Sequence, residues 1–284
     1  MTKWDIKKDM IMQYHHMNEE PVYPQEAIDR LMDELLTLFR RHELTEREIR
    51  RLCGAEIDTE FMRNFWKNRA NTHKANESMT NLEEDEELLL LKIESETKKI
   101  FEYMDFKKTD KLLDLGSGYG NWALRFADKV DFVHAVDYCS EMVNLGIKRA
   151  QEKKINNIQF FEESIQEYTN NIKYDTIFIS GVLLYLNDSD IREILKRMPT
   201  YTKVGTQLII REGTGVNGRY IIDKEYSDRL ETTYSAIYRT REELIEIFKK
   251  IGFQLIKDED MFPEGSVLNK FPNTRLRIYK FVRK

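Results

Sequence analysis

Residues 112–126 read LLDLGSGYGNWALRF, and this stretch decides which fold the chain can adopt. An apolar run ends near Asp114, a turn with three alternating glycines follows, and the next residues have the composition of a helix. A P-loop would need Lys followed by Ser or Thr after its glycines, so hydrolysis of a nucleoside triphosphate is not expected here. The spacing G-x-G-x-G also departs from the G-x-G-x-x-G of dinucleotide-binding turns. Because a carboxylate at Asp114 would repel a pyrophosphate, the turn favours a ligand with a cationic group.

From Lys111 onward, short apolar runs alternate with helical stretches. Strands that alternate with helices need crossover connections, and this predicts an α/β fold with a doubly wound parallel sheet. The strand-like runs are KLLDLG (111–116), FVHAVD (132–137), IQFFEE (158–163), YDTIFISG (174–181), TQLIIREG (206–213), FQLIKDED (253–260) and RLRIYKFVRK (275–284).

The first part of the chain has a different spacing of apolar residues. Apolar residues recur at three- and four-residue steps in AIDRLMDELLTLFRRH (27–42), which predicts an amphipathic helix, and a further helix is expected over 58–73. We therefore predict a helical extension over residues 1–80 and a second, larger domain over residues 81–284.

A second carboxylate follows the second strand-like run. Asp137 comes 23 residues after Asp114 (137 − 114), one helix and one strand later. At this position of a nucleotide-binding fold, a carboxylate accepts hydrogen bonds from ribose hydroxyls. A ligand with a ribose, a cationic portion and no polyphosphate is required, and S-adenosylmethionine fits this description.

With both motifs in place, the sequence from Lys111 to the C-terminus resembles the class I S-adenosylmethionine-dependent methyltransferases. The resemblance rests on LLDLGSGYG, VDYCSEM, FFEESIQEY, YDTIFISGVLLYL and the two closing strand-like runs. It implies a mostly parallel, seven-stranded, Rossmann-like sheet whose last two strands form an antiparallel hairpin, together with S-adenosylmethionine as the cofactor. The cofactor-binding residues that the resemblance implies are Trp66, Arg69, Asp114, Gly116, Ser117, Gly118, Gly120, Asp137, Tyr138, Met142, Glu163, Ser164 and Ser180.

Within that set, the resemblance gives each group a partner on the cofactor. The methionine part of the cofactor would be approached by Asp114 and by the backbone of the glycines. The ribose would bind to Asp137, and the adenine would lie near Tyr138 and Met142. Glu163 and Ser164 stand where the family often has an acidic residue beside adenine. Trp66 and Arg69 would belong to a lid, with Arg69 at the methionine carboxylate. Ordinary helix packing is the alternative for the last two.

The acceptor is expected beyond the carboxyl ends of the fourth and fifth strands. Tyr185, Arg211 and Arg239 are the residues we expect to bind or orient it, and Arg219 lies nearby in the sequence. Arginines at one mouth would suit an anionic small molecule, because guanidinium binds carboxylate or phosphate through a forked geometry. Pairing of these arginines with neighbouring acids is the alternative. O-methylation in polysaccharide biosynthesis is expected from a weak resemblance to methyltransferases that modify sugars or phosphate groups.

Composition limits the remaining classes. The 284 residues have a formal net charge of -5 and two cysteines, so a global basic field for nucleic acid and a disulfide framework are both absent. With no signal peptide or apolar run of membrane-spanning length in the sequence, we expect a cytoplasmic protein without a metal site, a membrane or a nucleic-acid partner; the oligomeric state is left open. A nucleic-acid or protein methyltransferase is one alternative, although the fourth strand ends in ISGVLLYL rather than the D/N-P-P-Y/F of base-modifying enzymes. A cofactor-binding protein without transferase activity is the other.

Overall fold

The computed structural model describes residues 56–72, 85–227 and 232–284, together with eight separate residues between positions 26 and 41. All but the last of those eight are helical, in the stretch where the sequence predicts a helix. The apolar residues that define that predicted helix lie outside the described residues.

The described chain contains six α-helices and nine strands. The helices are α1 (Thr59–Thr72), α2 (Glu86–Tyr103), α3 (Asn121–Phe126), α4 (Ser140–Glu152), α5 (Asp188–Arg197) and α6 (Arg241–Lys249). The strands are β1 (Lys111–Leu115), β2 (Phe132–Asp137), β3 (Ile158–Glu162), β4 (Thr176–Ser180), β5 (Gln207–Gly215), β6 (Tyr220–Ser227), β7 (Thr232–Tyr238), β8 (Phe253–Asp260) and β9 (Thr274–Arg283). None of the described helices is both long enough and apolar enough to cross a membrane.

Seven strands form one sheet in the order β3-β2-β1-β4-β5-β9-β8. The first five strands of this order run parallel, and β9 is antiparallel to both of its neighbours. This confirms the predicted doubly wound, mostly parallel, seven-stranded sheet. The order reverses between β1 and β4, where the carboxyl ends of parallel strands leave a crevice for a ligand.

The sheet is buried on both faces because its strands carry apolar residues on both sides. Leu113 of β1 packs in one core cluster and Leu112 in another, and Ile210 and Ile209 of β5 divide in the same way. Successive side chains of a strand point to opposite faces, so a continuous apolar run fills two cores at once.

Between β5 and α6 the structure has an element that the sequence did not predict. Strands β6 and β7 form a separate antiparallel hairpin, which packs against the described part of the N-terminal region. Met62 and Phe65 of α1 share a core cluster with Tyr234 and Ile237 of β7. Helix α1 is thus part of the wall around the sheet's carboxyl edge, and the division into domains near residue 80 stays a prediction.

Candidate functional site

The glycine turn after β1 is held against the end of β2. The backbone amides of Gly116 and Ser117 both donate to the carbonyl oxygen of Val136, at 2.8 and 2.9 Å. Gly116 has a φ of 74°, in the left-handed region where a side chain is strained. A Cβ at this position would also lie 2.3 Å from the side chain of Val182. Glycine is therefore required here, and no side chain at this position separates the backbone from the crevice.

Two carboxyl groups stand at the ends of β1 and β2. Asp137 accepts hydrogen bonds from the amides of Gly118 at 2.8 Å and Cys139 at 2.9 Å, which fixes its orientation. Burial raises the pKa of Asp137 to about 6, although these two amides oppose the rise. Burial and the nearby Asp137 together raise the pKa of Asp114 to about 8.

Two polar side-chain atoms at this edge of the sheet are buried without a hydrogen-bond partner in the described part of the protein. They are Oδ2 of Asp114 and Oγ of Ser117. Buried polar atoms are nearly always paired in folded proteins, and an orphaned pair at a crevice indicates a ligand that supplies donors and acceptors. The geometry therefore fits a polar ligand that carries hydroxyl and cationic groups.

A cavity of about 350 Å³ opens over this edge of the sheet. Many of the residues predicted from sequence line it, and they come from elements far apart in the chain. These lining residues are Trp66, Asp114, Gly116, Ser117, Gly118, Asp137, Tyr138, Met142, Ser180, Tyr185 and Arg211.

Comparison with known proteins identifies the segment that carries this turn. Residues 112–205 match the family model described as "Methyltransferase domain". This segment is a methyltransferase domain. The prediction of that family from the motifs is confirmed.

Individual relatives agree with this assignment. Phosphoethanolamine N-methyltransferase 2 of Caenorhabditis elegans is 25% identical over 173 residues, which cover 58% of this chain and 37% of that protein. Alpha N-terminal protein methyltransferase 1 of Dictyostelium discoideum is 30% identical over 150 residues, covering 51% of each chain. This chain therefore matches only about a third of the first relative's length and half of the second's.

A solved structure shows the same fold. It is phosphoethanolamine N-methyltransferase 1 of Haemonchus contortus in complex with phosphoethanolamine and S-adenosylhomocysteine, with a TM-score of 0.64 at 14% identity, over 86% of this chain and 51% of that one. At this identity the likeness establishes the fold, and it confirms the class I methyltransferase architecture.

Within the methyltransferase domain, the predicted adenine contact needs correction. Glu163 and Ser164 do not line the cavity, whereas the next two residues, Ile165 and Gln166, do. The backbone amide of Glu163 donates to the carbonyl oxygen of Asp137 at 3.0 Å, and Ser164 bonds to Gln166. Glu163 and Ser164 therefore stand beside the lining, and the two residues that follow them belong to it.

Two other predicted cofactor contacts also lie outside the cavity lining. Arg69 is buried, its guanidinium lies 5.8 Å from the ring centroid of Phe65, and it is not among the residues that line the cavity. Gly120 ends the turn and precedes α3, where a Cβ would lie 2.7 Å from the ring of Phe160. The structure assigns Gly120 a packing role.

The clearest correction concerns Arg239. Its guanidinium donates to the carbonyl oxygens of Leu183 and Leu186, both at 2.8 Å, and to the carboxylate of Asp188 at 2.6 Å. Arg219 pairs with the same carboxylate. Burial would raise the pKa of Asp188, but the two guanidinium groups outweigh it and hold that pKa well below its usual range. Neither arginine lines the cavity. Arg239 therefore holds the turn after β4 to the start of α5, and it is not positioned to bind the acceptor.

Arg211 does reach the cavity, but in a pair that the sequence did not indicate. Its Nη2 lies 2.5 Å from a carboxylate oxygen of Glu96 on α2, and its Nη1 donates to the Ser180 hydroxyl at 3.3 Å. The Glu96 side chain is only 1% exposed. Glu96 lies 115 residues before Arg211, so no local pattern could reveal the pairing.

The remaining lining comes from segments that sequence reasoning did not assign to the site. Tyr234 and Tyr238 of β7 line the cavity beside Tyr185. The segment between β8 and β9 contributes apolar and basic side chains. They are Phe262, Leu268, Lys270 and Phe271, with Arg275 at the start of β9. Exposed lysine and phenylalanine in a loop carry no sequence signal for a site.

Proposed function

We propose that the protein transfers the methyl group of S-adenosylmethionine to a small acceptor that carries an anionic group. The observation that carries this proposal is one cavity that joins the bare glycine turn and two buried carboxyls to a rim of basic side chains. The first part fits the cofactor, and the second fits the acceptor.

The cofactor side fits through donors and acceptors that are already oriented. The fixed carboxylate of Asp137 can accept hydrogen bonds from ribose hydroxyls. The unpaired oxygen of Asp114 and the unpaired hydroxyl of Ser117 can bond to a cationic amino-acid group. When bound, S-adenosylmethionine supplies an electrophilic methyl group on a sulfonium centre. The Haemonchus neighbour, crystallised with S-adenosylhomocysteine, supports this choice of cofactor.

Basic side chains outnumber acidic ones in the cavity lining; of them, Arg211 is paired with Glu96, and Arg63 lies over the ring of Tyr138 on the cofactor side. Five basic residues line the cavity in the described part of the chain, against two acids, Asp114 and Asp137, both on the cofactor side. The basic residues are Arg63, Lys92, Arg211, Lys270 and Arg275. The guanidinium of Arg275 bonds to main-chain carbonyl oxygens, which leave its charge unneutralised. Such a rim favours phosphate or carboxylate, and the names of the Caenorhabditis and Haemonchus phosphoethanolamine N-methyltransferases described above are consistent with this.

A macromolecular acceptor is the second candidate, because the Dictyostelium relative is a protein methyltransferase. Base modification in RNA rests on a shorter match, because the 23S rRNA (uracil(1939)-C(5))-methyltransferase RlmD of Vibrio vulnificus is similar to this chain over only 66 residues, at 36% identity. A sugar acceptor, as first expected, stays a prediction.

The test uses methyl-labelled S-adenosylmethionine and a cell extract. After incubation, metabolites are separated from macromolecules and the label in each fraction is counted. Label in anionic small molecules is expected, and mass spectrometry of that fraction would name the acceptor. Label in protein instead would support the second candidate. Failure to bind S-adenosylhomocysteine in calorimetry would refute the assignment of the cofactor.

A further inference from the structure

Four aromatic side chains form one wall of the cavity. Trp66 of α1 meets Tyr185 edge to face, with ring centroids 5.3 Å apart and planes at 74°. Tyr185 meets Tyr234 in the same way, at 6.0 Å and 89°. Tyr238 completes the wall; its ring lies over Gly213, where a Cβ would be 2.9 Å from it. We define these four residues as the aromatic wall.

Perpendicular rings make a concave corner of π faces. The face of an aromatic ring carries negative potential, so such a corner attracts an organic cation. Arg69 is a buried cation close to this wall, but it stacks on Phe65 and does not line the cavity. Behind the wall lies Glu212, which is 1% exposed and accepts from the amides of Val182 and Leu183 at 3.1 and 2.8 Å.

Among the described residues, the lining of the acceptor end offers no general base for an alcohol; Glu212, whose pKa burial raises to about 7, lies outside that lining. The described lining of the cavity contains no histidine, and its two carboxyl groups stand at the cofactor end. Burial raises the pKa of Tyr185 and of Tyr234 above the ordinary value, so both stay as neutral phenols near neutral pH. An alcohol needs such a base to take its proton in the transition state, whereas an amine, which is an ammonium ion at neutral pH, can lose its proton to water before its lone pair attacks.

Resting on the function proposed above, we infer that the acceptor atom is an amine nitrogen and that the aromatic wall holds the methylated ammonium formed on it. The nitrogen lone pair forms the new N–C bond as the S–C bond of the donor breaks and its electron pair stays on sulfur. The positive charge thus passes from sulfur to nitrogen, where the π faces stabilise it. An acceptor with an amine at one end and an anion at the other matches both sides of the cavity.

Choline and its uncharged carbon analogue 3,3-dimethyl-1-butanol test this inference, because they have nearly the same shape and differ in charge. Each is titrated by calorimetry into the protein saturated with S-adenosylhomocysteine. The cation should bind roughly five- to thirty-fold more tightly than the analogue, the range that cation–π contacts at a desolvated site give. Equal affinities, or no saturable binding of choline, would overturn the inference.

Two variants of Tyr185 form the matched control. Tyr185→Phe keeps the ring and should keep most of the preference for choline, while Tyr185→Leu should lose most of it. Affinity for S-adenosylhomocysteine is measured for both and should be unchanged. If Tyr185→Leu fails to bind it, Tyr238→Leu replaces it in the same comparison. Retention of the full preference without the ring would overturn the inference, whereas loss of cofactor binding by the wild-type protein would refute the proposed function instead.

Discussion

Replacing Arg239 by methionine should destabilise the protein strongly, although the sequence predicts that this residue binds or orients the acceptor. The side chain is 2% exposed and bonds to two carbonyl oxygens and to Asp188. Methionine fills similar space and supplies no donor. The carbonyl oxygens of Leu183 and Leu186 would then be buried without this partner, and Asp188 would lose one of its two guanidinium neighbours.

The magnitude follows from these contacts. Breaking a buried ion pair by removing one member costs about 3–5 kcal/mol. The lower end applies because the Asp188 side chain is 30% exposed and keeps Arg219. We expect the free energy of unfolding to fall by about 3 kcal/mol, which for a chain of this size lowers the melting temperature by roughly 6–10 °C.

Urea denaturation and calorimetry measure the change, with Arg197→Met as the matched control. Arg197 pairs with Glu193, and the two side chains are 34% and 43% exposed. A pair of that exposure contributes about 1 kcal/mol or less, so the control should unfold close to the wild type. Arg239→Lys keeps the positive charge but loses the forked guanidinium. Its free energy of unfolding should lie between that of Arg239→Met and that of the control. A fully stable Arg239→Met protein with an increased KM for the acceptor would refute the structural role of Arg239 and would indicate that it binds the acceptor.

Other predictions concern the cofactor side. Asp137→Ala should weaken binding of S-adenosylhomocysteine by roughly 10- to 100-fold in calorimetry, since it removes hydrogen bonds to a charged group; unchanged affinity would contradict the ribose assignment. Gly116→Ala should cost about 1–3 kcal/mol more in urea denaturation than Gly205→Ala, because both have positive φ (74° and 88°) but only the first Cβ meets a neighbour, Val182; equal costs would show that backbone strain alone matters. Since burial raises the pKa of Asp114 from 3.8 to about 8, the folded state binds its proton more tightly than the unfolded state, and stability should fall with rising pH between these values. Asp114→Asn should reduce that decline in denaturation at a series of pH values, and an unchanged profile would exclude Asp114 as its source.

The sequence by itself determined the glycine turn and the two carboxyls of the predicted cofactor site, but it misplaced Glu163, Ser164 and Arg69. The glycine turn and Asp114 are contiguous, and Asp137 follows by one helix and one strand, so chain connectivity alone brings them together. Parallel strands place their carboxyl ends at one edge of the sheet, and the register pairs Leu115 with Val136 as this requires. Local pattern and fold class were sufficient for these residues.

Only the tertiary structure decided the acceptor half. Arg211 and Arg239 look alike in the sequence, since each stands near the end of a strand that leads toward the cavity. One reaches the cavity paired with Glu96, and the other is buried against Asp188. The aromatic wall likewise joins α1, the turn after β4 and the hairpin. A guanidinium or a ring takes its role from the groups that burial places around it, and those groups come from distant parts of the chain that no local spacing connects.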